Sequence, residues 1–214
     1  MAKLYVSNKD ETVRMFKSNF LEAFSKVHWT MPLWLFVPII LFLFYRAFAT
    51  FSIDVVSVIG FVFLGLFIWT ITEYLLHRFI FHFPAKTKFG KRIHFIFHGV
   101  HHDYPNDTKR LVMPPSVSFP LAAMFYFLFY LILGEAMLQP FFAGFLIGYL
   151  FYDITHYAIH HFNMKNKFWL AIKNHHMIHH YKHDDLGFGV SQPVWDHVFG
   201  TTYPEKQKTS EAIE

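Results

Sequence analysis

Apolar and polar positions fall in long blocks along the chain. Met31 to Phe48 is an apolar run broken only by Arg46, and residues 55–76 form a second run. A run of about 20 apolar residues spans a bilayer, so each run predicts a membrane-crossing helix. The connection between them is short and holds Ser52 and Asp54, which makes the two a helical hairpin. Residues 118–133 are apolar again, Gly134-Glu135 interrupt them, and Pro140 opens a further run through Phe151. The second helix turns polar only at its far end, at Thr70, Thr72, Glu73 and then His77-Arg78. Residues 77–117 and 162–214 are polar. The former hold Pro84, which should end the helix carrying His77 because proline lacks the backbone donor. Ahead of the first run, Phe16, Phe20 and Phe24 recur every fourth residue among Lys3, Lys9, Arg14, Lys17 and Lys26. That spacing predicts a helix with one apolar stripe, lying on a membrane surface or packed on the rest of the protein. The first apolar run comes late and no small-residue cleavage site follows it, unlike a secretory signal.

This pattern predicts an all-α integral membrane protein, with four transmembrane helices in two hairpins and a helical cap outside the bilayer. Residues 1–30 would be an interfacial segment, 31–204 the membrane-embedded domain and 205–214 a polar tail. Composition strengthens the membrane reading: 54% of the 214 residues are hydrophobic, 29 are Phe, and only 16% are charged. In a four-span arrangement, all but Arg46 of the 19 Lys and Arg fall on one side. The positive-inside rule makes that side cytosolic, with both chain ends and residues 77–117 there. A bacterial inner membrane or an endoplasmic reticulum membrane fits such an orientation. The net charge of +4 then needs no nucleic acid to explain it, and no stacking motif of a nucleic-acid binder is present.

The chain has no Cys. Disulfides, cysteine-ligated iron–sulfur clusters and thiolate-ligated haem are therefore excluded, and any metal chemistry rests on the 16 histidines. These are clustered. His94-Phe95-Ile96-Phe97-His98-Gly99-Val100-His101-His102 holds four in nine residues, with H-x-x-H-H spacing at His98, His101 and His102. On a helix, positions i, i+3 and i+4 share a face. The same spacing returns at His176, His179 and His180, and further blocks hold His156, His160, His161 and His77, His82. A packed core gains nothing from so many polar rings, each of which needs a partner. His156 and His160 share a helical face and His161 turns away from it, which favours His160 over His161 as a ligand. The five-residue step from His77 to His82 does not keep one face, so these two serve different metals or sit where the helix unwinds. Each hairpin ends in histidine and is followed by H-x-x-H-H, a pseudo-repeat that would bring two half-sites together.

One zinc takes about four ligands, and ten or more imidazoles exceed that. Ten suffice for two metals with about five nitrogens each, leaving one open position per octahedral ion. Among the metals that imidazole suits, a redox metal would use that position to activate oxygen. A di-iron centre at a membrane surface, served by an apolar cavity, fits oxidation of a lipid chain. No G-x-S-x-G and no Cys offers a hydrolytic nucleophile. A membrane metal transporter is a remote alternative, since its ligands belong near the bilayer midplane.

The blocks H-R-F-I-F-H (77–82), H-F-I-F-H-G-V-H-H (94–102), R-L-V-M-P-P (110–115), Y-D-I-T-H-Y-A-I-H-H (152–161), H-M-I-H-H-Y-K (176–182) and L-G-F-G-V (186–190) resemble the fatty acid 2-hydroxylases. These belong to the fatty acid hydroxylase and sterol desaturase superfamily. The resemblance covers roughly residues 70–200. It implies hydroxylation at carbon 2 of a long fatty acyl group, free or as a sphingolipid N-acyl chain, by two iron ions with O2 as co-substrate. Zinc competes for nitrogen sites and is a possible occupant of purified protein. Sister activities of the superfamily, desaturation and sterol or carotenoid hydroxylation, remain alternatives. Carried over by position, the metal ligands are His77, His82, His98, His101, His102, His156, His160, His176, His179 and His180. His94 and His161 match family histidines and are expected beside the ligands. Glu73 and Asp153, one turn before His77 and His156, are candidates to orient a ligand ring. His175 and His183 read as exposed polar residues, and His28 and His197 as background. Many eukaryotic members carry a cytochrome b5 domain in front, but no H-P-G-G precedes His77 here. Electrons are therefore expected from a separate b-type cytochrome or ferredoxin with its reductase. No G-x-G-x-x-G suggests a nicotinamide or flavin site.

Overall fold

Helices account for every regular element in the computed structural model, which describes residues 4–204; no strand occurs among them. The polar tail expected over 205–214 lies outside the described residues, as does Lys3. The helices are α1 (Asn19–Phe24), α2 (Met31–Tyr45), α3 (Val55–Leu75), α4 (Lys88–His94), α5 (Val100–Asp103), α6 (Pro115–His161), α7 (Lys167–Tyr181) and α8 (Val194–Val198). Three stretches widen into π-helix: Arg46–Thr50 after α2, Leu76–Phe81 after α3 and Phe95–Gly99 between α4 and α5. The chain divides into two interleaved units.

One unit takes in Arg14–Thr72 and Val112–Ile154. Three helical stretches, Met31–Thr50, Val55–Phe81 and Pro115–His161, are long and apolar enough to cross a membrane. The two apolar runs of the first hairpin appear as expected, and their connection is tight. Ser52 takes φ 50°, Ile53 N–H donates to the Ala47 carbonyl at 3.0 Å, and Asp54 accepts Ser57 N–H at 2.9 Å to cap α3. The later apolar stretch, Pro115–His161, breaks where the sequence predicts: two helical segments meet at a kink at Gly134, which takes φ 69° and ψ 177°. The helix resumes at Glu135 and carries Pro140 inside it, whereas a new run was expected to open at Pro140.

Within this unit α3 and α6 meet where side chains are absent. A Cβ on Gly65 would lie 2.0 Å from the Phe141 carbonyl oxygen, and one on Gly144 would lie 2.1 Å from that of Val62. Trp69 then packs edge-on against Phe145 and Tyr149. Outward, Val56, Phe63, Phe127, Leu131 and Ile132 are exposed, the surface expected of helices solvated by lipid. The Phe16, Phe20, Phe24 stripe forms only in part, because α1 starts at Asn19 after the Ser18 cap. Phe16 lies ahead of it, where its N–H and that of Met15 donate to Glu22, each at 2.9 Å.

The other unit takes in residues up to Val13, Glu73–Leu111 and the chain from Thr155 on. It holds the π-helical exit of α3, α4, α5, the last turns of α6, and α7 and α8. The first described residues strap onto the end of α5 and the loop after it. Val6 N–H donates to the Asp103 carbonyl at 2.9 Å, Thr12 donates to Asp107 at 2.7 Å, and Arg110 donates to the Val13 carbonyl.

Candidate metal centre

All ten histidines read as ligands lie in this second unit, and they gather into two groups of five. One group is His77, His82, His98, His102 and His179; the other is His101, His156, His160, His176 and His180. Within each group one nitrogen per ring lies within 4.8 Å of all the others.

Helix geometry explains the sorting. His77 and His82 belong to the same group, so of the two alternatives, different metals or a departure from the regular helix, the structure has the second. The exit of α3 is π-helical, and His82 N–H bonds the His77 carbonyl, five residues back, at 3.1 Å. A wider turn brings a five-residue step back to one face. Each H-x-x-H-H block is split. His98 and His102 join the α3 pair, while His101 faces the pair from α6. In the mirror sense His176 and His180 join the α6 pair, while His179 crosses to the α3 pair. The two halves of the pseudo-repeat thus each keep four rings and exchange the one at i+3.

The nitrogens face one another directly. Nε2 of His98 lies 3.0 Å from Nε2 of His77 and 3.1 Å from that of His102, and His179 Nε2 lies 3.1 Å from His82 Nε2. In the second group His176 Nε2 lies 3.0 Å from that of His156 and 3.1 Å from that of His160. His77 Nδ1 bonds the Phe188 carbonyl at 2.6 Å and His179 Nδ1 bonds the Leu186 carbonyl at 2.7 Å. A carbonyl only accepts, so both rings carry hydrogen on Nδ1 and turn a bare lone pair on Nε2 towards their neighbours. Buried His101 Nε2 and both nitrogens of His180 have no hydrogen-bond partner. Lone pairs crowded this way repel unless a cation lies among them. Two nitrogens about 2.1 Å from a shared ion and at right angles to it stand about 3.0 Å apart. The donor set therefore fits a metal in each group.

Electrostatics point the same way. Burial first, and the neighbouring imidazoles second, hold His98, His101, His102, His176 and His180 well below the usual histidine value. Burial also lowers His82 and pushes His179 down to about 4. The rings are thus neutral, the form that binds metal.

The flanking residues have varied surroundings. His94 is half-buried, with its ring 6.3 Å from that of His82 and 5.7 Å from that of Phe83. His161 stands outside both groups, its ring 4.6 Å from that of Tyr157. Glu73 is buried and accepts Val190 N–H at 3.0 Å, Ser191 N–H at 2.8 Å and the Ser191 hydroxyl at 2.5 Å. It therefore anchors the segment whose Phe188 carbonyl holds His77. Asp153 accepts Met113 N–H at 3.2 Å and the Tyr149 hydroxyl at 3.0 Å. His175 is no exposed background residue: it pairs with fully buried Asp196 at 3.0 Å. Asp196 itself went unread in the sequence. It lies in V-W-D, residues 194–196, whose only signal is an acid beside two apolar residues.

Comparisons with known proteins give this geometry a family. Residues 62–201 match the model of the fatty acid hydroxylase family. Over 91% of its length the chain is 40% identical to a fatty acid 2-hydroxylase of Rattus norvegicus, and it spans 58% of that relative. It is 35% identical to a dihydroceramide fatty acyl 2-hydroxylase of Arabidopsis thaliana, covering 89% of this chain and 80% of that one. The solved structure of full-length scs7p, in which only the hydroxylase domain is visible, superimposes with a TM-score of 0.82 at 35% identity, over 92% of this chain and 73% of that one. A membrane-type helical fold, two groups of five neutral imidazoles and these likenesses lead to one assignment: the chain belongs to the fatty acid hydroxylase family.

Proposed function

We propose that this chain is a di-iron monooxygenase that hydroxylates carbon 2 of a long fatty acyl group. One C–H bond becomes C–OH with an oxygen atom from O2. The other oxygen leaves as water, with two protons and two electrons from a separate donor. The observation that carries the reading is the pair of five-imidazole groups, each of which takes two of its rings from the end of an apolar helical stretch, α3 or α6. The names of the relatives, fatty acid 2-hydroxylase and dihydroceramide fatty acyl 2-hydroxylase, support the position of the hydroxyl group. Iron, when bound, supplies the redox chemistry that lets O2 attack an unactivated C–H bond.

The protein's part is to hold and to orient. In this reading His77, His82, His98, His102 and His179 hold one iron, and His101, His156, His160, His176 and His180 the other. Five imidazoles leave one of six positions free on each. His77 and His179 are fixed as Nε2 ligands by their carbonyl partners. An acyl lipid held with its carbonyl at the membrane surface would present carbon 2 there, its mid-chain carbons lying deeper in the bilayer.

Residues 31–204 form the hydroxylase domain in this reading, with four spans. A straight helix of 47 residues would be about 70 Å long, more than twice the roughly 30 Å hydrocarbon core, so a break at Gly134 supports two spans in α6. Both chain ends and residues 77–117 are cytosolic by the charge rule. An acidic b-type cytochrome or ferredoxin docks on the exposed Lys86, Lys88, Lys91 and Arg92.

Mass spectrometry of lipids from cells expressing the chain under isotopically labelled O2 tests the reaction. A labelled 2-hydroxy acyl product is expected. An unsaturated product, a mid-chain alcohol, or label taken from water would defeat the proposal.

A further inference from the structure

The segment that orients His77 and His179 is held by a buried carboxylate that touches neither ring. Asp196 is fully buried. Its Oδ1 accepts Phe188 N–H at 2.8 Å and the Thr201 hydroxyl at 2.7 Å. Its Oδ2 accepts Gly189 N–H at 2.8 Å and contacts His175 Nε2 at 3.0 Å. Tyr203 adds a hydrogen bond to the His175 carbonyl at 2.9 Å. Glu73 takes the next two N–H groups, Val190 and Ser191. Four consecutive backbone donors, from Phe188 to Ser191, thus point at two buried carboxylates. A peptide chain whose N–H groups are pinned has its carbonyls pinned too, because the peptide unit is planar. Phe188 O, in the peptide plane of Gly189 N–H, takes His77 Nδ1–H; Leu186 O, in the plane of Gly187 N–H, takes His179 Nδ1–H, and Gly187 N–H donates to the carbonyl of Thr201, whose hydroxyl bonds Asp196. The two glycines of L-G-F-G-V permit the tight path. Gly187 takes φ +71°, and a Cβ on Gly189 would lie 2.1 Å from the Gln192 carbonyl oxygen.

The second group is built differently. Among the described residues, the Nδ1 atoms of its His160, His176 and His180 are shielded from solvent and have no hydrogen-bond partner. Both carbonyl contacts go to the first group.

We propose that Asp196 is a positioning residue for the His77, His82, His98, His102, His179 group alone, setting the tautomer and angle of two ligands through the 186–189 backbone. This rests on the two-metal reading above. The two metals are then unequal, the one in the Asp196-supported group being the more tightly held. Asp196→Asn keeps the size and replaces one acceptor oxygen by an amide that donates, so one of the Phe188 and Gly189 donors loses its partner. Residues that orient metal ligands through their other ring nitrogen typically contribute about 10–100-fold in metal affinity.

The experiment loads detergent-solubilised full-length protein with zinc and follows its transfer to a chromogenic chelator. Wild-type protein is expected to release two zinc ions per chain, in a fast and a slow phase. Asp196→Asn should speed the slow phase at least tenfold and leave the fast phase unchanged. A purely structural lesion would speed both, and that result, or no change in either, would overturn the proposal. Fewer than two zinc ions per wild-type chain would instead sink the two-metal reading. If Asp196→Asn does not fold, Thr201→Val carries the test, since it removes one donor to the carboxylate. It should speed the slow phase alone, by a smaller factor, and an equal or absent effect on both phases overturns the proposal.

Discussion

A histidine ring that keeps its proton-accepting nitrogen bare inside a protein works against acid. His179 is pushed from 6.5 down to about 4 by burial, and His98, His101, His102, His176 and His180 are lowered well below 6.5 by burial and by one another. In the unfolded chain these rings take up protons as pH falls through about 6.5. In the folded chain they do not until pH is far lower. Between those limits the unfolded state binds more protons, so stability falls as pH falls. Thermal unfolding in detergent should therefore be flat from about pH 8 to 7 and drop steadily towards pH 4, with metal lost over the same range. A melting temperature unchanged at pH 5 would show that these rings are not held neutral. The clustering of these residues was legible because H-x-x-H-H spacing and the helix exits are visible in a bare sequence. Their partition into groups was not, because it depends on π-helical turns that no residue pattern here announced. Asp196 was hidden for another reason: its partners are backbone N–H groups, which every sequence has.

The apolar stretches were the easiest elements to read, since a bilayer demands about 20 apolar residues whatever the fold. Their packing was written more faintly. G-F-L-I-G, residues 144–148, spaces two glycines by four on α6, and small residues at that spacing let helix backbones approach closely in membranes. A Cβ on Gly144 would meet the Val62 carbonyl oxygen at 2.1 Å, and one on Gly148 the Trp69 Cβ at 2.6 Å. Gly144→Leu should thus push α3 and α6 apart, at a cost of about 1–3 kcal/mol or more for overpacking. Gly60, inside α3 with nothing within 4 Å of a Cβ, is the control, and Gly60→Ala should not destabilise and should add up to about 1 kcal/mol, since alanine favours a helix interior over glycine. Melting temperatures of the two variants in one detergent check the contrast. The Phe16 stripe failed at this scale because Glu22 captures the backbone of Met15 and Phe16 and keeps them out of α1.

At the scale of the molecule, charge asymmetry argues that the α2–α3 connection lies opposite the lysine-rich segments. The chain has no Cys, so Ser52→Cys gives one reporter thiol on a clean background. In sealed right-side-out cells or vesicles it should react with a membrane-impermeant maleimide added outside. Labelling only from the cytosolic side would reject the four-span arrangement. The pseudo-repeat was visible as two hairpins that each end in histidine. The exchange of His101 and His179 between the halves was not, because positions i, i+3 and i+4 look like one face until the rings are seen to splay.

That exchange fixes when the centre can come into being during synthesis. His176, His179 and His180 follow α6, the last long apolar helix among the described residues, and emerge from the ribosome after it. Until then the first group has four of its five rings and the second only two from α6 and one from α5. The Leu186 and Phe188 carbonyls and Asp196 arrive later still. In the two-metal reading neither group is therefore complete until α7 has been made, by which point α6 is free to have entered the bilayer.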